Sequence, residues 1–201
     1  AELALANGYQ LNTHAIGDRA NHEILDLYER VQRGHDGRAL RWRIEHAQHL
    51  HPTDVPRFAR LGVIASMQGV HASSDGPWVP KRLGEPRAGE RTYVWRSLID
   101  SGALVSNGTD VPVEDIDPLA SFRASVTREM VNGQRFHPEQ NMTRQEALAS
   151  YTWNNAYAGF EEDLKGSLAP GKLADFVVLD RDILRVPDAE LASDHVLHTV
   201  L

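Results

Sequence analysis

The sequence predicts an α/β protein with the strand–helix alternation of a (β/α)8 barrel. Three segments that read as barrel strands each carry a metal-type ligand at the tip: His14, His46 and Asp110. These residues are separated by 32 and then by 64 positions, which are one and two lengths of the same unit. A (β/α)8 barrel spreads roughly 250 residues over eight units, or about 31 per unit. We therefore expect the three side chains on one rim of a parallel sheet, where such barrels carry their chemistry.

Composition excludes several classes of protein. The chain has 201 residues, 41% apolar and 24% charged, which is enough to bury a core. Its formal charge is −7, and no basic face suggests nucleic acid. It has no cysteine, so any metal must be held by imidazole and carboxylate groups. No apolar run reaches the roughly 18–20 residues of a membrane helix and no signal peptide is visible, which predicts a soluble cytoplasmic protein.

Both ends of the sequence read as interrupted elements. Glu2–Ala6 looks like the tail of a helix that stops at Gly8. Residues 195–201 stop within an apparent strand. We expect the chain to be a piece of a longer protein.

Two strand–helix units fill the first third of the chain. After His14, a helix is predicted from Gly17–Asp18 to Gly34. The residues expected on its buried face are Ala20, Ile24, Leu27, Tyr28 and Val31. The next strand has Trp42, Ile44 and His46 on one side. Its partner helix begins near Thr53–Asp54 and carries Val55, Phe58 and Leu61.

The middle of the chain continues this alternation. Val63–Met67 is a continuous apolar run, typical of a parallel strand that is covered on both faces. Residues 69–91 are rich in Gly, Pro, Arg and Ser and predict a long loop at the rim. A helix from about Thr92 to Gly102 then leads into a strand at Leu104–Ser106. The repeated order of strand and helix predicts a parallel sheet.

Helix caps organise the segment that follows. Asp117–Pro118 combines an N-cap with a proline at the first helical position and predicts a helix through about Val131. Thr143 with Glu146 forms a capping box for the next helix. Both helices continue the barrel pattern.

The tail has a different character. Ala169–Lys172 suits a type II turn, with Pro170 and Gly171 at the central positions. Phe176–Leu179 then reads as a strand. We predict a partial barrel domain over residues 1–160 and a small β segment over residues 161–201.

The three strand-end ligands suit one reaction. Neutral imidazole nitrogens of His14 and His46 can bind a divalent metal, which lowers the pKa of bound water from 15.7 to about 7. Ionised Asp110 can accept the proton of that water as it attacks and pass it to a leaving amine. Each residue alone also has an ordinary structural interpretation, as a hydrogen-bonded histidine or as an aspartate in a turn. Their common period favours the metal site.

Four stretches resemble successive signatures of the metal-dependent amidohydrolase superfamily. They are Thr13–Asp18, Arg43–Gln48, Ser66–Gln68 and Gly108–Pro112. Among its branches they are most similar to the YtcJ-like (amidohydrolase 3) group. The tail Gly166–Asp180 resembles the stretch where amidohydrolases re-enter their β-sandwich. The resemblance covers essentially the whole chain.

The resemblance implies the C-terminal half of a (β/α)8 TIM barrel, strands five to eight, plus part of a small β-sandwich. It implies that His14 and His46 are metal ligands after strands five and six. Asp110 would be the ligand and general acid/base after strand eight. The family's other ligands are a His-x-His pair on the first strand and a carboxylated lysine or other carboxylate near the fourth, which would lie upstream of Ala1. We therefore expect this chain to hold at most half of the metal shell.

Other positions carry weaker expectations. Gln68 and His71, after the seventh strand, are expected to contact substrate, with packing or loop hydrogen bonds as the alternative. Asp18 is interpreted as a helix cap or a partner of the site rather than a ligand. The Arg43 and Glu45 pair is expected to face the surrounding helices.

These observations predict a hydrolase that cleaves a C–N bond other than a peptide bond, in an amide or N-acyl group of a small molecule. The expected cofactor is Zn²⁺, as one or two ions, while iron, manganese and nickel stay open. The chain alone is expected to be inactive. The alternative is a non-catalytic chain that needs a partner, because a half barrel leaves strand edges and an apolar interior uncovered. A second chain would then complete the burial of Val63, Ala65 and Val105.

Overall fold

A computed structural model describes all 201 residues, which form two compact units. The first unit comprises Ala1–Met67 and Gly76–Val105, and the second comprises Gln68–Asp75 and Ser106–Leu201. None of the helices is both long enough and apolar enough to cross a membrane. The domain boundary expected after residue 160 stays a prediction.

The first unit contains the parallel strands and the helices that cover them. Its elements are α1 (Glu2–Ala6), β1 (Asn12–Ala15), α2 (Asp18–Val31), α3 (Gly37–Leu40), β2 (Arg43–His46), α4 (Val55–Leu61), β3 (Ile64–Met67), α6 (Val79–Leu83), α7 (Glu85–Arg91) and α8 (Trp95–Asp100). β4 (Val105–Asn107) begins at its end. The helix expected before Gly8 and the strand–helix order after it are confirmed.

The sheet has the parallel arrangement that the alternation predicts. β1 pairs with β2 so that His14 lies opposite Glu45, and β2 pairs with β3 so that Glu45 lies opposite Ser66. The Ala65 amide donates to the Leu104 carbonyl at 3.0 Å, just before β4. The strand order is β1-β2-β3-β4, which confirms the α/β class.

The buried face of α2 differs from the one predicted. The buried residues are Asp18, Asn21, Leu25 and Tyr28, whereas Ala20 is exposed. Asn21 is buried because its amide nitrogen donates to several carbonyl groups, including that of Ala15 at 3.1 Å. A side-chain nitrogen that donates to backbone carbonyls can occupy the core, and a prediction from hydrophobic periodicity does not count such a residue as buried.

The three residues whose burial a second chain was expected to complete are already buried within the first unit. Val63, Ala65 and Val105 are each at most 2% exposed. Their neighbours include α4, which contacts both β3 and α8. The expectation that a second chain would complete their burial was therefore wrong, because the chain supplies its own helix layer over these positions.

The second unit contains the remaining elements. They are α5 (Gly69–Asp75), the end of β4, α9 (Pro118–Thr127), a 3₁₀ helix (Pro138–Gln140), α10 (Arg144–Tyr151), α11 (Trp153–Ala158), β5 (Phe176–Leu179), a second 3₁₀ helix (Asp188–Ser193) and β6 (Val196–Val200). The predicted caps are confirmed. Asp117 accepts from the Leu119 amide, and Thr143 and Glu146 make both capping-box hydrogen bonds. α9 ends earlier than predicted because Arg128 adopts the left-handed region with φ of 58°.

The predicted long loop over residues 69–91 is instead three short helices, α5 to α7. α6 and α7 each have a proline in the first turn, at Pro80 and Pro86. Proline at the first helical positions loses no hydrogen bond and favours a helix start. The prediction of a loop was therefore wrong, because the same prolines also occur in loops.

The tail folds as a small antiparallel pair. β5 and β6 run antiparallel, with Phe176 opposite Val200. The turn at Ala169–Lys172 closes with a 3.1 Å hydrogen bond from the Lys172 amide to the Ala169 carbonyl, and Gly171 has φ of 91°. The strand predicted at residues 176–179 is confirmed.

α5 lies so close to α9 that only glycine fits at its first residue. A Cβ on Gly69 would lie 2.2 Å from Ser125 Oγ and 2.5 Å from the Ser121 carbonyl oxygen. The Val70 amide also donates to Ser121 Oγ at 3.0 Å. This contact fixes the position of α5 within the second unit.

We predict that Gly69→Ala lowers the free energy of unfolding by roughly 1–3 kcal/mol, because overpacking forces α5 and α9 apart. Urea denaturation followed by circular dichroism measures the change. Gly108→Ala is the matched control, since nothing lies within 4 Å of a Cβ built there. Equal stability of the two variants would show that α5 can move without cost.

Candidate metal centre

The end of β1 directs His14 away from the helix layer. Thr13 Oγ1 lies 2.7 Å from the Tyr28 hydroxyl, so the Thr13 side chain faces α2. Successive strand residues point to opposite faces, and His14 is accordingly exposed on the other face. Core packing therefore does not cover its imidazole, which is accessible as a ligand.

The backbone of His46 brings a second imidazole to the same place. By strand alternation His46 would share the face of buried Ile44. Its φ of 75° lies in the left-handed region, and its ring centroid is 4.5 Å from that of His14, with 74° between the ring planes. Positive φ is uncommon for residues other than glycine, and such strained positions cluster at functional sites. The structure therefore brings together two of the predicted ligands.

The sequence predicts that the Arg43 and Glu45 pair faces the surrounding helices. In the structure the pair lies on the other face of the sheet. Arg43 Nε donates to Glu45 Oε1 at 2.6 Å, and both side chains are partly exposed. They alternate with Trp42 and Ile44, and the Trp42 ring contacts Tyr28 of α2 at 5.0 Å. Arg43 and Glu45 consequently lie on the face that carries His14, since the register places His14 opposite Glu45.

Asp110 follows β4 in the second unit, on a well-fixed backbone. The side-chain nitrogen of Asn107 donates to Ser150 Oγ at 3.0 Å. The side-chain nitrogen of Asn155 donates to the backbone carbonyl of Asn107 at 2.9 Å. Asp110 has φ of 61° and its carbonyl accepts from the Val113 amide at 2.8 Å. The aspartate therefore sits in a turn, as its ordinary interpretation allows, with a carboxylate that is one-third exposed.

His71 and Glu114 join Asp110 in one cluster. His71 Nε2 lies 3.2 Å from Asp110 Oδ2, and His71 Nδ1 lies 3.1 Å from Glu114 Oε1. Ser74 Oγ donates to the same Glu114 oxygen at 2.5 Å. The sequence analysis missed Glu114, although its position four residues after Asp110 was a signal that it could return to the same region. Gln68 is buried at the start of this segment, and its contact with substrate stays a prediction.

The donor set fits a divalent metal. His14 and His46 offer imidazole nitrogens with adjacent rings, and Asp110 offers a carboxylate that lies 3.2 Å from His71 Nε2. Imidazole and carboxylate ligands suit zinc and also other first-row metals. The assignment of these three residues as ligands stays a prediction.

Comparison with known proteins shows the family of the chain. A model of the amidohydrolase family matches residues 1–201. The chain belongs to the amidohydrolase family. This confirms the resemblance that the sequence motifs suggested.

The amidohydrolase chain is similar to three curated proteins. It is 44% identical to LONG AFTER FAR-RED 3 of Arabidopsis thaliana over 86% of this chain and 30% of that protein. It is 32% identical to YtcJ of Bacillus subtilis over 98% of this chain and 37% of that protein. It is also 32% identical to the N-substituted formamide deformylase of Arthrobacter pascens, over 96% of this chain and 35% of that protein. The chain thus spans about a third of the length of these relatives.

A solved structure extends the comparison to the fold. An uncharacterized metal-dependent hydrolase from Pyrococcus furiosus matches with a TM-score of 0.77 and 34% identity, over 92% of this chain and 36% of that one. The amidohydrolase chain therefore has the fold of part of an amidohydrolase barrel.

Asp18 of the amidohydrolase chain ties α2 to α7. Arg87 donates to both Asp18 carboxylate oxygens, at 2.7 and 2.8 Å, and Arg91 donates at 2.6 Å. Burial raises the pKa of Asp18, but the hydrogen bonds from the two guanidinium groups outweigh it and hold that pKa at about 2. Asp18 is thus a structural anion that joins α2 to α7, and its interpretation as a helix cap or a partner of the site rather than a ligand stays a prediction.

We predict that Asp18→Asn lowers the free energy of unfolding by roughly 1–2 kcal/mol at pH 7, a value reduced for solvent screening by the half-exposed Arg87. The folded pKa is depressed, so this stabilisation is present above pH of about 4 and disappears as pH falls toward 2. Urea titrations at pH 7, 4 and 2.5 measure it. Asp163→Asn, at an exposed site, is the control. A difference between the variants that is as large at pH 2.5 as at pH 7 would contradict this origin.

Proposed function

We propose that this chain supplies metal ligands and the general acid/base of a metal-dependent hydrolase that cleaves a C–N bond in an amide or N-acyl compound. The observation that carries the proposal is the pairing of the His14 and His46 rings at 4.5 Å in a member of the amidohydrolase family. The relative from Arthrobacter pascens is named as a deformylase of N-substituted formamides, which are N-acyl compounds. That name supports a C–N bond as the target.

His14, His46 and Asp110 are the residues that would hold the metal. Zinc is the preferred ion for imidazole and carboxylate ligands, as one or two ions. When bound, such an ion supplies Lewis acidity and makes hydroxide available near neutral pH. Iron, manganese and nickel suit the same donor atoms.

Asp110 moves the proton in this proposal. Its carboxylate accepts a proton as a water oxygen bonds to the acyl carbon, and returns that proton to the nitrogen as the C–N bond breaks. Its partly exposed side chain leaves room for water to approach. Gln68 and His71 are proposed to lie where the substrate binds. Both ring nitrogens of His71 face carboxylates, which favours a role for His71 through Asp110.

A second candidate is a non-catalytic chain that acts only with a partner. Large apolar side chains on the β5–β6 pair are exposed, among them Val177 at 53% and Leu197 at 55%. A two-stranded sheet with bare apolar faces is marginal by itself. Metal binding by His14 and His46 separates the two candidates, because a purely structural subunit has no need of it.

We predict that His14→Ala and His46→Ala each weaken zinc binding by more than about 100-fold. Loss of a residue that only hydrogen-bonds to a metal ligand already lowers metal affinity about 10–100-fold, and loss of the ligand itself costs more. Elemental analysis after dialysis against buffered zinc gives the metal-to-protein ratio. His35→Ala, at an exposed turn, is the matched control. An unchanged ratio in both variants would remove these histidines from the metal site and favour the non-catalytic candidate.

We predict that Asp110→Asn, in a full-length protein that contains this chain, lowers turnover by roughly 10²–10⁴-fold or more, because the amide cannot take up the proton. The fold should persist, since Asp110 is partly exposed. Initial rates on N-formyl and N-acetyl amines, with circular dichroism, measure both effects. The control is Asp115→Asn, an exposed neighbour. Retained activity in Asp110→Asn would exclude Asp110 from the mechanism.

A further inference from the structure

A small pocket lies on the first unit, between α2, the loop that leads from β2 to α4, and α7. Its volume is about 370 Å³, within the range of roughly 300–1,000 Å³ that pockets for small molecules occupy. Its walls carry three arginines, two histidines, two aspartates and one threonine. None of these residues is assigned to the metal or to proton transfer in the proposed hydrolysis.

α7 supplies more positive charge to this pocket than the pocket neutralises. Arg87 donates to both carboxylate oxygens of Asp18, at 2.7 and 2.8 Å, and Arg91 donates to one of them at 2.6 Å. Two guanidinium groups therefore share a single carboxylate. One positive charge remains on this wall.

The other charged groups of the walls already have partners. Asp54 is only 1% exposed and lies 2.9 Å from Arg57 Nη1 and 2.9 Å from His22 Nδ1. The other ring nitrogen of His22 lies 3.5 Å from a second carboxylate on α2. Arg19 is paired with Glu23 at 2.7 Å on the surface. The surplus charge consequently belongs to α7.

The same wall has hydrogen-bond donors that no residue uses. Each arginine carries five N–H donors. Arg91 makes one side-chain hydrogen bond, through Nη1, and its Nε is buried without a partner. Arg87 reaches Asp18 through Nε and Nη2, which leaves the Nη1 donors unused.

His51 adds a donor from the loop on another side of the pocket. Thr53 contacts Nδ1 of the His51 ring with its hydroxyl at 2.7 Å and with its backbone amide at 3.3 Å. Both groups of Thr53 can donate to Nδ1, and Nε2 is then the nitrogen that carries the ring proton. His51 Nε2 has no hydrogen-bond partner within the chain.

We propose that this pocket binds a phosphate group, either as inorganic phosphate or as the phosphate of a small monoester. Guanidinium groups match phosphate oxygens with parallel N–H bonds. The tetrahedral arrangement of those oxygens lets one group accept from α7 and from the His51 loop together. A bound phosphate would neutralise the surplus charge of Arg87 and Arg91. This site is separate from the proposed hydrolase chemistry, so either proposal can fail without the other.

The direct test is a titration of the 201-residue chain, freed of metal by chelation and dialysis, with inorganic phosphate in a calorimeter. We expect one phosphate per chain, and a thermal midpoint of unfolding that rises with phosphate concentration, because a ligand of the folded state stabilises it. Acetate at the same ionic strength should bind more weakly, because its planar carboxylate has only two oxygens. Absence of saturable phosphate binding, or acetate binding as tight as that of phosphate, would overturn the proposal.

A second titration with glycerol 3-phosphate distinguishes the two sources of the phosphate group. Tighter binding of glycerol 3-phosphate than of inorganic phosphate would identify a monoester as the ligand, since the pocket volume leaves room for a small organic group. Equal or weaker binding would identify the free ion. Both results support a phosphate site.

Variants locate the bound phosphate. His51→Ala should weaken phosphate binding by roughly 10–100-fold, the factor that corresponds to one hydrogen bond with a charged group. Arg87→Gln should weaken it at least as much, and it also serves if circular dichroism shows that His51→Ala does not fold. His35→Ala removes an exposed histidine of the same unit outside the pocket and should bind phosphate like the wild type. Wild-type affinity in the folded His51→Ala or Arg87→Gln variant would contradict the assignment of this pocket.

Discussion

The parallel register of β1 on β2 is the constraint on which the first unit depends. Because His14 is opposite Glu45, and because the Thr13 and Ile44 face is covered by α2, the strand-end histidine must emerge on the uncovered face. His46, one residue beyond Glu45, would then point into the helix layer. Its left-handed backbone corrects this by turning the ring back toward His14. The two proposed ligands from neighbouring strands meet only because one of them breaks the regular alternation.

The second unit uses close helix packing for the same purpose. Gly69 has no room for a Cβ against Ser121 and Ser125, so the first residue of α5 has a fixed position along α9. That position determines where the ring of His71, two residues later, lies. Hydrogen bonds to Asn107 hold the end of β4, and Asp110 follows from there. The distances within the Asp110–His71–Glu114 cluster thus depend on backbone contacts that lie outside the cluster.

Patterns of long period were readable from the sequence, and local backbone exceptions were not. The spacing of His14 and His46, the apolar strand at residues 63–67 and the capping box at Thr143 all reflect repeating geometry or a local hydrogen-bond rule. The buried face of α2 was wrongly predicted because the side-chain nitrogen of Asn21 donates to backbone carbonyls inside the core. The helices at residues 69–91 were missed because proline marks both loops and helix starts. No sequence motif marks Glu114, because it is distinguished only by its contact with the His71 ring.

Two aspartates near strand ends show why environment decides their roles. Asp18 is held by two guanidinium groups, which do not lose their protons in proteins, and its pKa of about 2 leaves it ionised under all ordinary conditions. It can hold α7 in place but cannot carry a proton near neutral pH. Asp110 instead faces an imidazole, a group that can either donate or accept a hydrogen bond according to its tautomer. A carboxylate that must gain and lose a proton in each cycle needs a partner that suits both of its states. An arginine suits only one of these states, and on that ground we propose Asp110 rather than Asp18 for acid/base chemistry.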